Sequence, residues 1–242
     1  MPGIGTLVNV AAVICGSLIG LLLKKGLSER LRESIMKALG VASMFIGIGC
    51  TMAEMLVMGE DGSLSTRGIM LMIVSLAAGT LVGELLKIEE HLEGIGERIK
   101  KVKMFSGSSR FTEGFVTATL VTSVGAMAIV GAMQDGLNGD PSVLFSKSIL
   151  DFISTMIFAS ALGIGVLCSA LPMGLYQAII TLFAGLLGSV FTDEMISNVS
   201  LVGSVLIFCV GINLFAGKRI KVGSMLPSLL VPIIYGLIMM AI

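Results

Sequence analysis

Apolar residues run along this chain in blocks of about twenty, the length an α-helix needs to cross a hydrocarbon layer, and polar residues gather in the short gaps between them. Eight spans are predicted, at roughly 4–23, 35–58, 68–86, 112–134, 146–170, 173–191, 198–216 and 223–241. The expected fold is therefore an all-α polytopic membrane protein, one integral membrane domain over 1–242. An even number of spans puts both ends of the chain on one side.

Two connections carry a different pattern. Ile88, Leu92, Ile95, Ile99 and Val102 recur every three or four residues, while Glu89, Glu90, Glu93, Glu97, Lys100 and Lys101 fill the other faces. That spacing predicts an amphipathic cytoplasmic helix over 88–104, lying on the membrane surface or against its own spans. Leu27, Leu31 and Ile35 give a shorter version. His91 lies in the polar surroundings of the longer helix and reads as a solvated surface residue, since no second His or Cys is near enough to complete a metal site.

Composition agrees: 55% of the 242 residues are hydrophobic and 13% charged, with a mean hydropathy of +1.01. A soluble domain carries about 25% charged residues, so an ordinary soluble protein is excluded. A net charge of zero gives no reason to expect nucleic acid as a partner. All of the 16 Lys and Arg except Arg67 and Lys147 fall on the connections after the first, third and seventh spans or on their flanks. By the positive-inside rule those connections are cytoplasmic, which puts both termini outside the cytoplasm. The first residues have no basic stretch and include Asn9, so no cleaved signal peptide is expected.

Cys15, Cys50, Cys168 and Cys209 lie inside apolar runs without a C-x-x-C pair and are expected to be small buried apolar residues, with no disulfide or metal framework. H-E-x-x-H, G-x-S-x-G and the phosphate-binding G-x-x-x-x-G-K-[ST] are all missing. Neither an enzyme nor an ATP-driven pump is expected, and no cofactor or metal.

The segment Gly16-Ser-Leu-Ile-Gly20-Leu-Leu-Leu-Lys24 aligns with Gly79-Thr-Leu-Val-Gly83-Glu-Leu-Leu-Lys87, and each is followed by an amphipathic stretch and then a span rich in Gly and Met. A fainter echo, AGLLG at 184–188 followed by Gly203 and Gly211, suggests that spans three to five and six to eight form two inverted three-helix units after an N-terminal helix pair. Glycines spaced by four let helix backbones approach closely.

Close packing does not account for the acids. A charge at the bilayer centre costs about 2.5–3.5 kcal/mol on the lenient insertion scale, so each acid within a span is a functional candidate. Asp151 follows Lys147 by four residues, one helix face apart, and reads either as half of a local ion pair or as a functional carboxylate. Asp135 and Glu54 end the two Gly-Met spans, and Glu84 lies one turn from Lys87; solvated helix ends and a solute path are both open for them. Asn9, Thr122, Ser123, Gln177 and Asn213 are uncharged polar residues within spans that must find partners in hydrocarbon, from neighbouring helices or from a solute. Pro227 and Pro232 kink or break the last span.

The strings GTLVNVAAVICGSLIG, AGTLVGELLKIEEHLE, GAMAIVGAMQDGLNGD, KSILDFISTMIFASALGIGVLCSALP and CVGINLF resemble the bacterial YqgA/YdfK-type inner-membrane family, a domain of unknown function, over nearly the whole chain. The resemblance implies a bacterial plasma-membrane protein and supplies neither a substrate nor a residue role. The expectation is a secondary transporter or permease for an ion or small solute, with Asp151, Asp135, Glu54 and Glu84 as acids and Asn9, Thr122, Ser123, Gln177 and Asn213 as neutral ligands along its path. Two alternatives stay open. One is a structural or regulatory membrane protein whose basic helix end docks lipid headgroups or a partner; the other is a channel formed by a homo-oligomer.

Overall fold

The computed structural model describes residues 2–24, 28–59, 62–91, 94, 110–123, 126–184, 192–217 and 219–241. In chain order these form α1 (Ile4–Lys24), α2 (Glu29–Met55), a hairpin of β1 (Leu56–Met58) and β2 (Leu64–Thr66), α3 (Ile69–Leu85), α4 (Phe111–Ser123), α5 (Ala126–Asn138), α6 (Ser142–Leu162) and α7 (Gly165–Cys168). Then come α8 (Ala170–Leu182), α9 (Asp193–Ala216), α10 (Val222–Met225), a 3-10 turn (Leu226–Leu229) and α11 (Leu230–Ala241). Most of the amphipathic helix expected over 88–104 lies outside the described residues, as does most of the AGLLG echo.

Among the described residues, six helical stretches are long and apolar enough to cross a membrane: Ile4–Leu23, Glu33–Met55, Ser142–Leu162, Gly165–Leu182, Asp193–Ala216 and Val222–Met240. The eight expected spans are therefore not all found. The stretch expected as one span over 112–134 is two helices, α4 and α5, bent by 58°, and it would be a seventh crossing only as a broken one. The span expected over 68–86 is the 17-residue α3. It ends where Leu86 N–H bonds the Val82 carbonyl and Lys87 turns left-handed with φ 52°. The all-α expectation also misses the hairpin, in which Leu56 pairs with Thr66 and Met58 with Leu64.

Contacts divide the chain into two compact units that interleave along the sequence, rather than into consecutive triplets. The first comprises Met1–Lys37 and Leu92–Val190. In it α1 and α6 run side by side in the same direction: Gly5 meets Leu144, Gly16 meets Phe152 and Thr155, and Gly20 meets Met156 and Ala159. A Cβ on Gly16 would lie 2.7 Å from the Thr155 hydroxyl, and one on Gly20 2.9 Å from the Ala159 Cβ, so these two glycines fix how closely the helices approach. Helix α8 runs antiparallel to α1, the last turn of α5 meets the first turn of α1, and Gly136 of α5 packs on Thr181 and Ala184 near the end of α8.

The second unit comprises Ala38–His91 and Phe191–Ile242. Here α2 packs antiparallel to α9 through Gly40 against Gly211 and Phe215 and through Gly47 against Phe208. Gly79 and Gly83 of α3 receive Ser228 and Ser224 from the broken last helix, which Pro227 interrupts with the 3-10 turn. The two aligned glycine motifs thus do the same local work, but Gly16 and Gly20 face a parallel helix and Gly79 and Gly83 an antiparallel one.

Large apolar side chains point outward, among them Leu7, Leu22, Phe45 and Leu171, while Asn9, Ser17, Ser75, Thr155 and Gln177 lie fully buried. That reverses a soluble protein's preference and suits a lipid surround, in which helices associate through small residues and polar contacts rather than by the hydrophobic effect. The same logic corrects the expectation for the cysteines. Cys209 is buried and Cys168 half-buried, but Cys15 and Cys50 are on exposed faces of α1 and α2, where a small apolar side chain is equally at home.

Candidate functional site

The first turn of α1 leaves backbone N–H groups that no residue of the helix itself can accept. Asp135, inside α5 rather than at a solvated helix end, accepts two of them: its Oδ2 takes the Gly5 N–H at 3.0 Å and the Thr6 N–H at 3.4 Å. The positive end of the helix dipole favours a carboxylate there. Gly5 makes the approach possible, because a Cβ at that position would lie 3.0 Å from Asp135 Oδ2 and 2.9 Å from Leu144. Asp135 is 0% exposed, and its Oδ1 has no hydrogen-bond partner among the described residues.

Further along α1 the same face stays polar. The Thr6 hydroxyl lies 3.2 Å from the Thr181 hydroxyl on α8. One turn on, Asn9 Nδ2 donates to Gln177 Oε1 at 3.2 Å and lies 3.6 Å from Met173 Sδ. Asn9 Oδ1 and Gln177 Nε2 remain without partners among the described residues. Asp151 is buried with Lys147 in a short hydrogen-bonded ion pair, and the Thr155 hydroxyl donates to the backbone carbonyl of Asp151 at 2.7 Å. Below this layer Val13, Ala170 and Met173, with Val10 against them, form an apolar cluster.

In the first unit α1 thus joins Asp135 of α5, Asn9 and Gln177 of α8, and the Lys147–Asp151 pair lies on α6, the helix that runs beside α1. The other sequence candidates do not join them. Thr122 is spent on its own helix, and Ser123, at the end of α4, has no partner for its hydroxyl among the described residues. In the second unit Glu54 accepts from Ser197 and pairs with Arg67, which also donates to Ser197 and to the Glu54 carbonyl. Asn213 clasps a turn: its Oδ1 accepts from Arg219 N–H and Ile220 N–H at 2.9 Å each, and its Nδ2 donates to the Ile220 carbonyl. Glu84 is exposed and takes a hydrogen bond from Lys221 at 2.9 Å, which holds the Lys221 ammonium above its usual pKa. Between α5 and α6, the Ser142 hydroxyl and N–H hold the Asp140 carboxyl below the usual carboxylate range.

Thr6, Thr181 and Met173 belong to the centre and escaped the sequence reading. Their signal was present: Thr6, Asn9 and Val13 follow a three-four spacing, and Met173, Gln177 and Thr181 repeat every four residues, each set on one helix face.

Fold and centre define a multi-pass helical membrane protein with a polar, charged core inside one of its two bundles. The chain belongs to the family described as Protein of unknown function (DUF554), whose model matches residues 4–237. It is 32% identical over 228 residues to the "Uncharacterized membrane protein YdfK" of Bacillus subtilis (strain 168), covering 94% of this chain and 93% of that one. It is also 32% identical over 234 residues to the "Uncharacterized protein YqgA" of Escherichia coli (strain K12), again covering 94% of this chain and 93% of the relative. No solved structure matches the chain.

Proposed function

We propose that this protein is a secondary transporter or permease for a small solute or ion, with the buried centre of the first unit as its binding site. One observation carries the reading. Asn9, Gln177 and Asp135 are each 0% exposed and each keeps an uncommitted hydrogen-bonding atom, beside the buried Lys147–Asp151 pair. A buried polar group without a partner costs about 1–3 kcal/mol. Three amide and carboxylate groups with spare capacity in one bundle are better explained by a ligand that completes them than by helix adhesion alone, which would commit them fully to one another.

Asp151 and Asp135 take different roles in this reading. Asp135 is bound to the amino terminus of α1 and couples any movement of that helix to the site. Asp151 is the acid that binds or titrates, its charge balanced by Lys147 when no cation is present. The bundle meets the solute in a closed state here, and the apolar cluster of Val13, Ala170 and Met173 closes the path on one side. With both termini outside the cytoplasm in a bacterial plasma membrane, the polar layer lies in the outer half of the bilayer and the apolar closure faces inward. Membrane lipids are the surrounding partners.

The test is uptake and current in proteoliposomes across a panel of cations, anions, amino acids and small organic acids, with Asp151→Asn protein as the control. A saturable signal that the variant lacks is expected. Folded wild-type protein that moves nothing across the panel would leave the centre as a structural or regulatory element instead.

A further inference from the structure

The chemistry of the unpartnered atoms narrows the ligand, on the reading that this centre binds the transported solute. Asn9 Oδ1 and Asp135 Oδ1 can only accept, whereas Gln177 Nε2 can only donate. The Lys147 ammonium has three N–H bonds, of which the ion pair with Asp151 occupies one. Charges of both signs are buried on α6 between Leu144, which meets Gly5, and Thr155, which meets Gly16, alongside the stretch of α1 that carries Asn9.

A bare metal cation would face the Gln177 amide hydrogens and the Lys147 charge. A simple anion would face Asp151 and the Asn9 oxygen. We infer that the centre takes a small zwitterion, an α-amino acid with a short aliphatic side chain, whose ammonium meets Asn9 Oδ1 and the carboxylate side while its carboxylate meets Gln177 Nε2 and Lys147. Charge-assisted hydrogen bonds are roughly twice as strong as neutral ones, which favours a zwitterion over an uncharged amide or polyol in this low-dielectric layer. The side chain is short because Val13, Ala170 and Met173 close the layer directly below Asn9 and Gln177. In such a complex the Lys147–Asp151 pair lies antiparallel to the ligand's own charges, so neither ion is left uncompensated.

Binding rather than flux is the appropriate readout. Purified protein in lipid nanodiscs is titrated with radiolabelled L-alanine and competed with glycine, L-leucine, methylammonium, acetate and urea. Saturable alanine binding is expected, displaced by glycine and poorly by the other four. Asn9→Leu should weaken it by about tenfold or more. Gln177→Glu keeps the shape of the side chain and exchanges its donor for an acceptor; it should lose alanine while eluting from size exclusion as the wild type does. The inference is overturned if folded wild-type protein binds neither alanine nor glycine, if urea competes as well as glycine, or if the folded Gln177→Glu protein binds alanine unchanged. Alanine that binds but is never carried into liposomes would keep the ligand class and remove the transporter reading; flux of another solute without alanine binding would do the reverse.

Discussion

The two units of this protein treat their charged and amide side chains in opposite ways. In the second, the charged and amide side chains singled out from the sequence are committed at helix ends: Glu54 to Ser197 and Arg67, Asn213 to the backbone of Arg219 and Ile220, Glu84 to Lys221. In the first, Asn9, Gln177 and Asp135 lie in the bundle interior with bonding capacity left over, next to a buried ion pair. Both units use glycine to bring backbones together, so tight packing is common ground and does not distinguish them. What differs is whether the charged and amide groups finish the fold or keep bonding capacity, since buried hydroxyls without partners occur in both units, Ser75, Ser200 and Ser228 in the second and Ser17 in the first.

The largest effect expected from breaking that contrast is at the ion pair. Asp151→Leu leaves the Lys147 ammonium buried and unpaired, and thermal unfolding in detergent should register a loss of about 3–5 kcal/mol. The double variant Lys147→Met/Asp151→Leu should recover most of it, since no lone charge remains. Glu54→Gln, whose side chain is part-exposed and whose charged partner Arg67 is exposed, should cost about 0–1 kcal/mol. Equal losses at Asp151 and Glu54 would erase the distinction between the units.

Next in size is the packing the units share. Gly16→Val and Gly83→Val each push a branched side chain into a neighbouring backbone, at Phe152 and at Ser224, and should destabilise by about 1–3 kcal/mol or more. A large effect in one unit alone would mean that the aligned motifs do different work. Asp135→Ala removes the acceptor from the first turn of α1 and should cost about 1–2 kcal/mol, with Asp135→Asn recovering much of it because one oxygen remains to accept.

The smallest effect is at the surface. Lys221 has its pKa raised by Glu84, so the pair helps below the unfolded lysine value and is lost only as pH rises through the higher folded one. Both groups are exposed, and Lys221→Met should leave solute flux unchanged between pH 6 and pH 8.

Much of the first unit was legible in the chain. Asp151 four residues after Lys147, and Asn9 and Gln177 within apolar runs, were identifiable because a polar atom in hydrocarbon needs a reason to be there. The sequence could not show which of these candidates meet. Helical spacing fixes the face within one helix, but the encounter of Asn9 with Gln177 joins positions 168 residues apart. Asp135 was harder still. As the end of a Gly-Met span it could have been a solvated helix end or part of a solute path, and α5 continues to Asn138 and buries it against the start of α1. Glu54, Glu84 and Asn213 drew attention for the same compositional reason as the others, and only their neighbours in space reveal them as clasps at helix ends. The break between α4 and α5 and the short α3 were hidden because hydropathy alone does not register a bend or an early stop.

The most direct test of the central claim is solute uptake measured side by side in proteoliposomes holding wild-type, Asp151→Asn and Glu54→Gln protein at matched density. The account predicts saturable uptake that Asp151→Asn abolishes and Glu54→Gln retains; uptake lost equally in both variants, or unaffected by either, would contradict it.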